Sequence, residues 1–568
     1  MPAPGWFRIV FYFSWSFVWL LITFILFISA AWKAPVRPFI EYPAIGLAAL
    51  CFLLPVLPYA RRLLAKPIAL ARAFFSGYLR PALFLAALVA VFFILKPAKY
   101  PTPQPTGGKI AVIGAGSAGA HAAWLLHQNK ADFRVFEATD YIGGHALGFD
   151  FPSAGKKYPV DLGFIFGAPS SYKEFKTLLA LNGIERTMSR LTYYTKVKDT
   201  EWATEAKETI TEEVERFHRL ADRDYNDPSL NLVPFGWWLK KHGFSDKFRE
   251  THLTPMLIVL FVSSEGFYEQ STRFILNMYA GPGKWVDYRR GYGSWVVKGS
   301  SKEYYARLTA PFRDKIQLFA PVTRVERKNG KVIVTWTDTL SQTRSEEFDG
   351  AIITAPADVA RKIVVTEWWE DWTLAQVRYT PVIVDLHSDT SILPEPKMRR
   401  AFNFFQSGDT ETFELIGRSA EIFGYGKLDP EPLIHLNPQR RAKDPLVSRV
   451  WRHHAQDLWH IAVMDQLLTK MQGRGNIYYA GDWVKFIGHG FAMRTGMNAA
   501  CHLTGVKKAG EIRRMPEFDH CQKVTVVDAR EPEDKEQSIQ ICNNTDAYRY
   551  ITAIACADML PEKERIAE

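Results

Sequence analysis

The sequence predicts an α/β protein in which an open parallel-sheet domain, built from separated chain segments, is interleaved with an α+β domain and preceded by N-terminal transmembrane helices. Three observations predict it. Residues 9–31 form an uncharged apolar run. A short β-branched stretch at 109–113 runs straight into Gly114-Ala115-Gly116-Ser117-Ala118-Gly119 and then a helix-like AHAAWLLHQN. Far downstream, Gly481-Asp482 stands between an apolar strand-like stretch and a second helix-like one.

The 568 residues suffice for several domains, and 47% hydrophobic content suffices for a large core. The formal charge of +10 comes from dispersed Lys and Arg, many flanking the N-terminal apolar runs, which argues against a nucleic-acid partner. The five cysteines, Cys51, Cys501, Cys521, Cys542 and Cys556, show neither CxxC spacing nor a paired framework, so no metal site is expected. Pairing among the last three stays open.

At about 1.5 Å per residue, the run at 9–31 covers the roughly 30 Å of bilayer hydrocarbon. A cleaved signal peptide is the competing reading, but the run exceeds the usual apolar core and lacks a small-residue cleavage site. Two shorter runs, 42–57 and 82–95, are further spans, re-entrant segments or surface helices. Arg61, Arg62, Lys66, Arg72 and Arg80 between them place that loop in the cytosol. Three spans then leave the rest of the chain lumenal or external, with the sequon Asn543-Asn544-Thr545 open to glycosylation; two spans leave it cytosolic. The protein is thus expected to be integral to a membrane, with the side undecided. The proline-rich stretch 99–108 reads as a semi-rigid spacer.

From 109 the context is strand, glycine turn, helix, which is the Rossmann dinucleotide fingerprint. Gly114 permits the tight turn, Gly116 removes a side chain that would block a pyrophosphate, Gly119 lets the helix approach the strand, and Ser117 and Ala118 open the helix whose free N–H groups face the phosphates. A second strand at 133–136 ends at Glu137, whose carboxylate can accept hydrogen bonds from both ribose hydroxyls. The fingerprint alone does not separate FAD from NAD.

Beyond it, Gly143-Gly144-His145 and the DLGF block at 161–164 resemble the extended FAD signature of the flavin-containing amine oxidase superfamily. So does 476–503, with Gly481, Asp482 and a helix carrying His489, Thr495, Gly496 and Ala499. A third similar block runs from 319, through Val322, to Pro356. The resemblance implies non-covalent FAD, with Gly143 and Gly144 letting the chain pass the phosphates, His145 standing where an arginine is usual, Val322 pairing with adenine, and Gly481 and Asp482 meeting the ribityl or phosphate groups. It also implies that the entrance of the last helix lies by the isoalloxazine ring. Relatives sharing the DLGF block and an LHxD segment, here Leu386-His387-Ser388-Asp389, imply a hydrophobic lipid or secondary-metabolite substrate.

The expected FAD-binding segments are 109–169, 291–360 and 446–505; the substrate domain is 170–290 and 361–445; and 506–568 is a polar tail. Flavin does the redox work itself, so few catalytic side chains are required. The candidates are His489 at the helix entrance and His387 at a strand end, each weighed against a packing role. Arg289 and Arg290 are weighed as carboxylate binders against a solvated turn. The lysine and the flavin-tethering cysteine of many amine oxidases have no matching run. The expected function is FAD-dependent oxidation, desaturation or isomerisation of a hydrophobic small molecule, with dioxygen or another acceptor reoxidising the flavin. The alternatives are a strict amine oxidase and a non-catalytic flavin-binding membrane protein.

Overall fold

The computed structural model describes residues 105–506, apart from 168–172, 205–210, 262–265, 281–291, 407–412, 456–459, 461–463 and 486, together with 522–528, 535–541, 551 and 556. The chain divides into two units, Met1–Phe93 and Ile94–Glu568. The expected membrane spans, Arg289, Arg290 and the sequon at Asn543 lie outside the described residues. Among the described residues no helix is long and apolar enough to cross a membrane.

Strand β1 (Ile110–Ile113) is buried at all four positions, as a parallel strand covered on both faces must be. It leads through the glycine turn to helix α1 (Ser117–Gln128), and the chain returns in β2 (Phe133–Phe136). With β3 (Ile316–Gln317), β4 (Gly350–Ile353) and β5 (Ile477–Tyr479) these make an all-parallel sheet ordered β5-β4-β1-β2-β3. The order reverses between β1 and β4, and open α/β sheets bind ligands outside the carboxyl ends of the strands at such a point. Helix α2 (His489–Thr504) follows β5 and lies against α1 so closely that a β-carbon on Gly496 would sit 2.0 Å from the Ala118 carbonyl oxygen.

A second, seven-stranded sheet runs in the order Val447–His454, Tyr379–His387, Leu433–Leu436, Glu414–Arg418, Phe402–Gln406, Tyr193–Val197 and Thr200–Ala203. Its core continues into helices Glu212–Asp224, Phe235–Lys241, Thr254–Phe261 and Thr272–Tyr279 through Phe217, Trp238, Leu257 and Tyr279. Much of the aromatic content of 170–290 is thus core.

Three expectations need correction. The boundary at 446 falls one strand early: Val447–His454 pairs along Tyr379–His387 as an edge of the second sheet, because its ladder partner belongs there. Likewise Tyr292–Val297, expected with the nucleotide segments, pairs antiparallel with Arg186–Leu191. Finally, Cys501 bonds to Cys556, with Cα atoms 6.0 Å apart and both residues buried. The partners are 55 residues apart, and Cys501 is presented by α2, so no local spacing marked the pair.

Candidate functional site

The glycine turn is built to different tolerances at each position. Gly114 has φ +103°, and a β-carbon there would lie 2.6 Å from Thr354 Oγ1, whose hydroxyl donates to the carbonyls of Ile113 and Gly114. A β-carbon on Gly119 would lie 1.9 Å from the Gly114 carbonyl oxygen, so α1 approaches β1 as only glycine allows. At Gly116 a β-carbon would instead meet Gly144 Cα at an ordinary contact distance of 3.8 Å. Neither α1 nor α2 has a side-chain cap at its N terminus. The two ends meet where Ser117 Oγ donates to the His489 carbonyl at 3.0 Å. Two sets of orphan amide donors and two positive dipole ends therefore share one region, a setting that favours an anion.

Glu137 closes the neighbouring end of β2. Its carboxylate accepts from the Ala115 amide at 2.7 Å and from the Thr139 amide and hydroxyl at 2.9 and 2.8 Å. The segment leading to Val322 is fastened beside it, since the Ala320 amide donates to the Glu137 carbonyl at 2.8 Å. Val322 opens the strand Val322–Lys328 at a register irregularity in its ladder.

Gly143 and Gly144 both have positive φ, and Gly143 bridges to Gly116. The chain then reaches His145, whose carbonyl would clash with a β-carbon on Gly163 at 1.8 Å; this explains the glycine of the DLGF block. The His145 ring packs 4.9 Å from Trp451 and 5.3 Å from His453. Gly481 has φ +145° and its amide donates to Thr495 Oγ1 at 2.9 Å, fixing Asp482 ahead of α2. The Asp482 side chain remains 37% exposed, with Oδ2 3.6 Å from Nδ1 of the buried His454. Burial works to raise the Asp482 carboxyl, but His454, His145 and His453 more than offset it, and it sits at about 2. Burial itself holds His453 and His460 at about 3 and lowers His145.

His489 is the first residue of α2, as expected, and its ring stacks on Phe164 of the DLGF block at 4.2 Å. Its Nε2 is buried without a hydrogen-bond partner, and burial drives the ring well below the ordinary histidine range. His387 is elsewhere. In the ladder Tyr379 faces His454, and His387 closes the opposite end of the same strand, about 26 Å away at about 3.3 Å per residue. Its Nδ1 accepts from the Asp389 amide at 3.1 Å, and its Nε2 lies 3.2 Å from His435 Nδ1. The expectation that His387 serves the redox site is therefore corrected: it is buried and occupied at both nitrogens by local structure. Sequence reading passed over His453, His454 and His460, which carry no motif and reach Asp482 only through the fold. Among the described residues no group of three or more His, Cys, Asp or Glu is placed to hold a metal ion.

Comparison with known proteins bears on the same residues. A family model described as flavin containing amine oxidoreductase matches residues 118–388. L-amino-acid oxidase 4 of Hebeloma cylindrosporum is 32% identical over 63 residues, which are 11% of this chain; the alignment spans only 10% of that protein's length. Putrescine oxidase, in a structure with putrescine bound, superposes with a TM-score of 0.52 at 14% identity, covering 69% of this chain and 98% of that one. A CLA-producing fatty acid isomerase from P. acnes gives 0.50 at 17%, covering 69% and 98%. Cyclohexylamine oxidase from Brevibacterium oxydans IH-35A gives 0.50 at 17%, covering 71% and 99%. At these identities the structural likeness is one of fold. The residues matched by the flavoprotein family model, just under half of this chain, take in the Glu137, Gly143-Gly144 and DLGF blocks.

Proposed function

We propose that the chain holds FAD non-covalently outside the carboxyl end of β1 and uses it to oxidise, desaturate or isomerise a hydrophobic small molecule of the lipid or secondary-metabolite kind. The observation that carries the reading is the meeting of two uncapped helix N termini at Ser117 and His489 beside Gly116, which presents no side chain. The donor set fits a dinucleotide: a diphosphate would take the orphan amides of α1, opened by Ser117, Ala118 and Gly119, and a β-carbon on Gly116 would fill the space it needs.

In this reading Gly114, Gly143 and Gly144 shape the phosphate passage, and His145 borders it. Glu137 accepts from ribose hydroxyls, the Val322 backbone meets adenine, and Gly481 and Asp482 hold the ribityl chain. When bound, FAD supplies the two-electron acceptor. The entrance of α2 at His489 would stabilise negative charge with its free N–H groups, and the His489 ring, packed on Phe164, fixes that entrance. The activity named for the fatty acid isomerase neighbour supports a hydrophobic substrate. The reading also includes anchorage by residues 9–31 and reoxidation by dioxygen or another acceptor. A strict amine oxidase is the second reading, favoured by the names of the putrescine and cyclohexylamine oxidase neighbours.

The test is an anaerobic absorbance spectrum of the purified full chain with candidate lipids, polyenes and amines. An oxidised-flavin band near about 450 nm that bleaches with lipids or polyenes supports the leading reading. Bleaching with amines alone replaces it by the second, and absence of the band removes both. Carbonate extraction of membranes from the expressing cells tests the anchor: release of the full chain into the supernatant would refute it.

A further inference from the structure

Among the described residues, the groups that act on the Asp482 carboxylate are imidazoles. His145 reaches it from the Gly143-Gly144 turn, His453 and His454 from the edge strand of the second sheet, and His460 from the segment that follows. The neighbouring fixed cations are engaged elsewhere: Arg452 pairs with Asp358, and Lys485 with Asp465 at 2.6 Å. Tyr379, on the facing strand, donates no charge.

Among the rings, His454 has a particular geometry. It is 2% exposed, neither ring nitrogen makes a hydrogen bond, and Nδ1 points at Asp482 Oδ2 from 3.6 Å. A buried imidazole with both nitrogens unsatisfied is unstable unless something completes it. A proton on Nδ1 would convert the 3.6 Å approach into a charge-assisted hydrogen bond on a small movement. The binding of a dianionic diphosphate in the same region favours that proton.

We propose that His454, acting through Asp482 as a positioning residue, couples FAD binding to the uptake of one proton. This rests on the reading of Asp482 as part of the FAD cradle. Burial keeps His453 and His460 neutral at about 3 and lowers His145, and the ring whose nitrogen faces Asp482 Oδ2 is that of His454. The sign follows from linkage: the group binds its proton more tightly with FAD present. FAD affinity therefore declines as pH rises, by at most tenfold per pH unit for one proton.

The test is titration of the flavin-stripped full chain with FAD between pH 6 and 8.5, read by flavin fluorescence. Calorimetry in two buffers of different ionisation enthalpy accompanies it. Wild type should show a falling affinity and a buffer-dependent heat equivalent to about one proton near neutral pH. His454→Gln should flatten the pH slope while retaining FAD at pH 8.5, and Asp482→Asn should lower the proton count. A buffer-independent heat in wild type, which needs no variant to fold, overturns the proposal. So does an unchanged slope in His454→Gln. FAD binding that is undiminished in Asp482→Asn and in Glu137→Ala refutes the cradle reading itself, an outcome distinct from a failure of the proton coupling.

Discussion

Ser117 Oγ hydrogen-bonds the carbonyl of His489 across 372 residues of sequence, and in doing so locks the first turn of α1 to the first turn of α2. The lock depends on the small residues beneath it. Gly496 has no room for a β-carbon, which would stand 2.0 Å from the Ala118 carbonyl, and that obstacle is backbone rather than a yielding side-chain tip. Gly496→Ala should therefore push the helices apart, lowering stability by about 1–3 kcal/mol, the usual range for overpacking. Urea unfolding and the flavin content of the purified variant check this; an unchanged midpoint with full flavin would show that the helices have slack.

Glu137 braces the turn through the Ala115 amide at 2.7 Å, and in the proposed reading its carboxylate also accepts from a ribose. Removal of both in Glu137→Ala should weaken FAD binding by about tenfold to a hundredfold, the worth of one or two charge-assisted hydrogen bonds. Glu137→Gln, which keeps an acceptor oxygen, should fall between. Fluorescence titration with FAD gives the ratio directly, and equal affinity in the alanine variant would exclude Glu137 from the cradle.

The parts of this site legible in the sequence are those whose physics is local. The turn Gly114 to Gly119, the strand ending at Glu137 and the Gly481-Asp482 step ahead of α2 each lie within one strand–turn–helix unit, where glycine and β-branched residues announce the backbone. His454 was not legible, because its place beside Asp482 depends on the pairing of Val447–His454 with Tyr379–His387, a register that no local pattern encodes. His387 misled for the complementary reason. A histidine at a strand end looks available until the fold supplies His435 and the Asp389 amide. Cys501 and Cys556 meet only because α2 and residue 556 share one core.

Asp161 carries a pH dependence that can be signed. Its Oδ1 accepts from the Ser301 amide at 2.8 Å, but Oδ2 is buried with no partner, and burial pushes the carboxyl up to about 7. The folded chain therefore holds a proton that the unfolded chain releases near pH 4. This group makes stability fall as pH rises from about 4 to 7, by up to about 4 kcal/mol. Asp161→Asn keeps the acceptor for Ser301 and cannot ionise. Urea unfolding across that window should show a flatter slope and a more stable variant at pH 8. A slope identical to wild type would mean that the buried carboxyl does not titrate there.

Glu414 has the opposite sign. It is buried 4% exposed at the side chain, accepts from His435 Nε2 at 2.7 Å, and takes the Gln439 and Arg440 amides at 3.1 and 3.0 Å and Arg440 Nε at 2.8 Å. Burial opposes the charge, but His435 and Arg440 outweigh it and hold the carboxyl at about 2. A depressed acid contributes stability above its unfolded value near 4.5 and loses it as pH falls toward 2. Glu414→Gln gives up the charge and one acceptor, so stability should drop by about 1–3 kcal/mol at pH 7, and the variant and wild type should converge as the medium is acidified. Unfolding midpoints at pH 7 and pH 3 decide it: a gap of equal size at both would show that the charge on Glu414 contributes nothing, leaving only the shape of the network between His435 and Arg440.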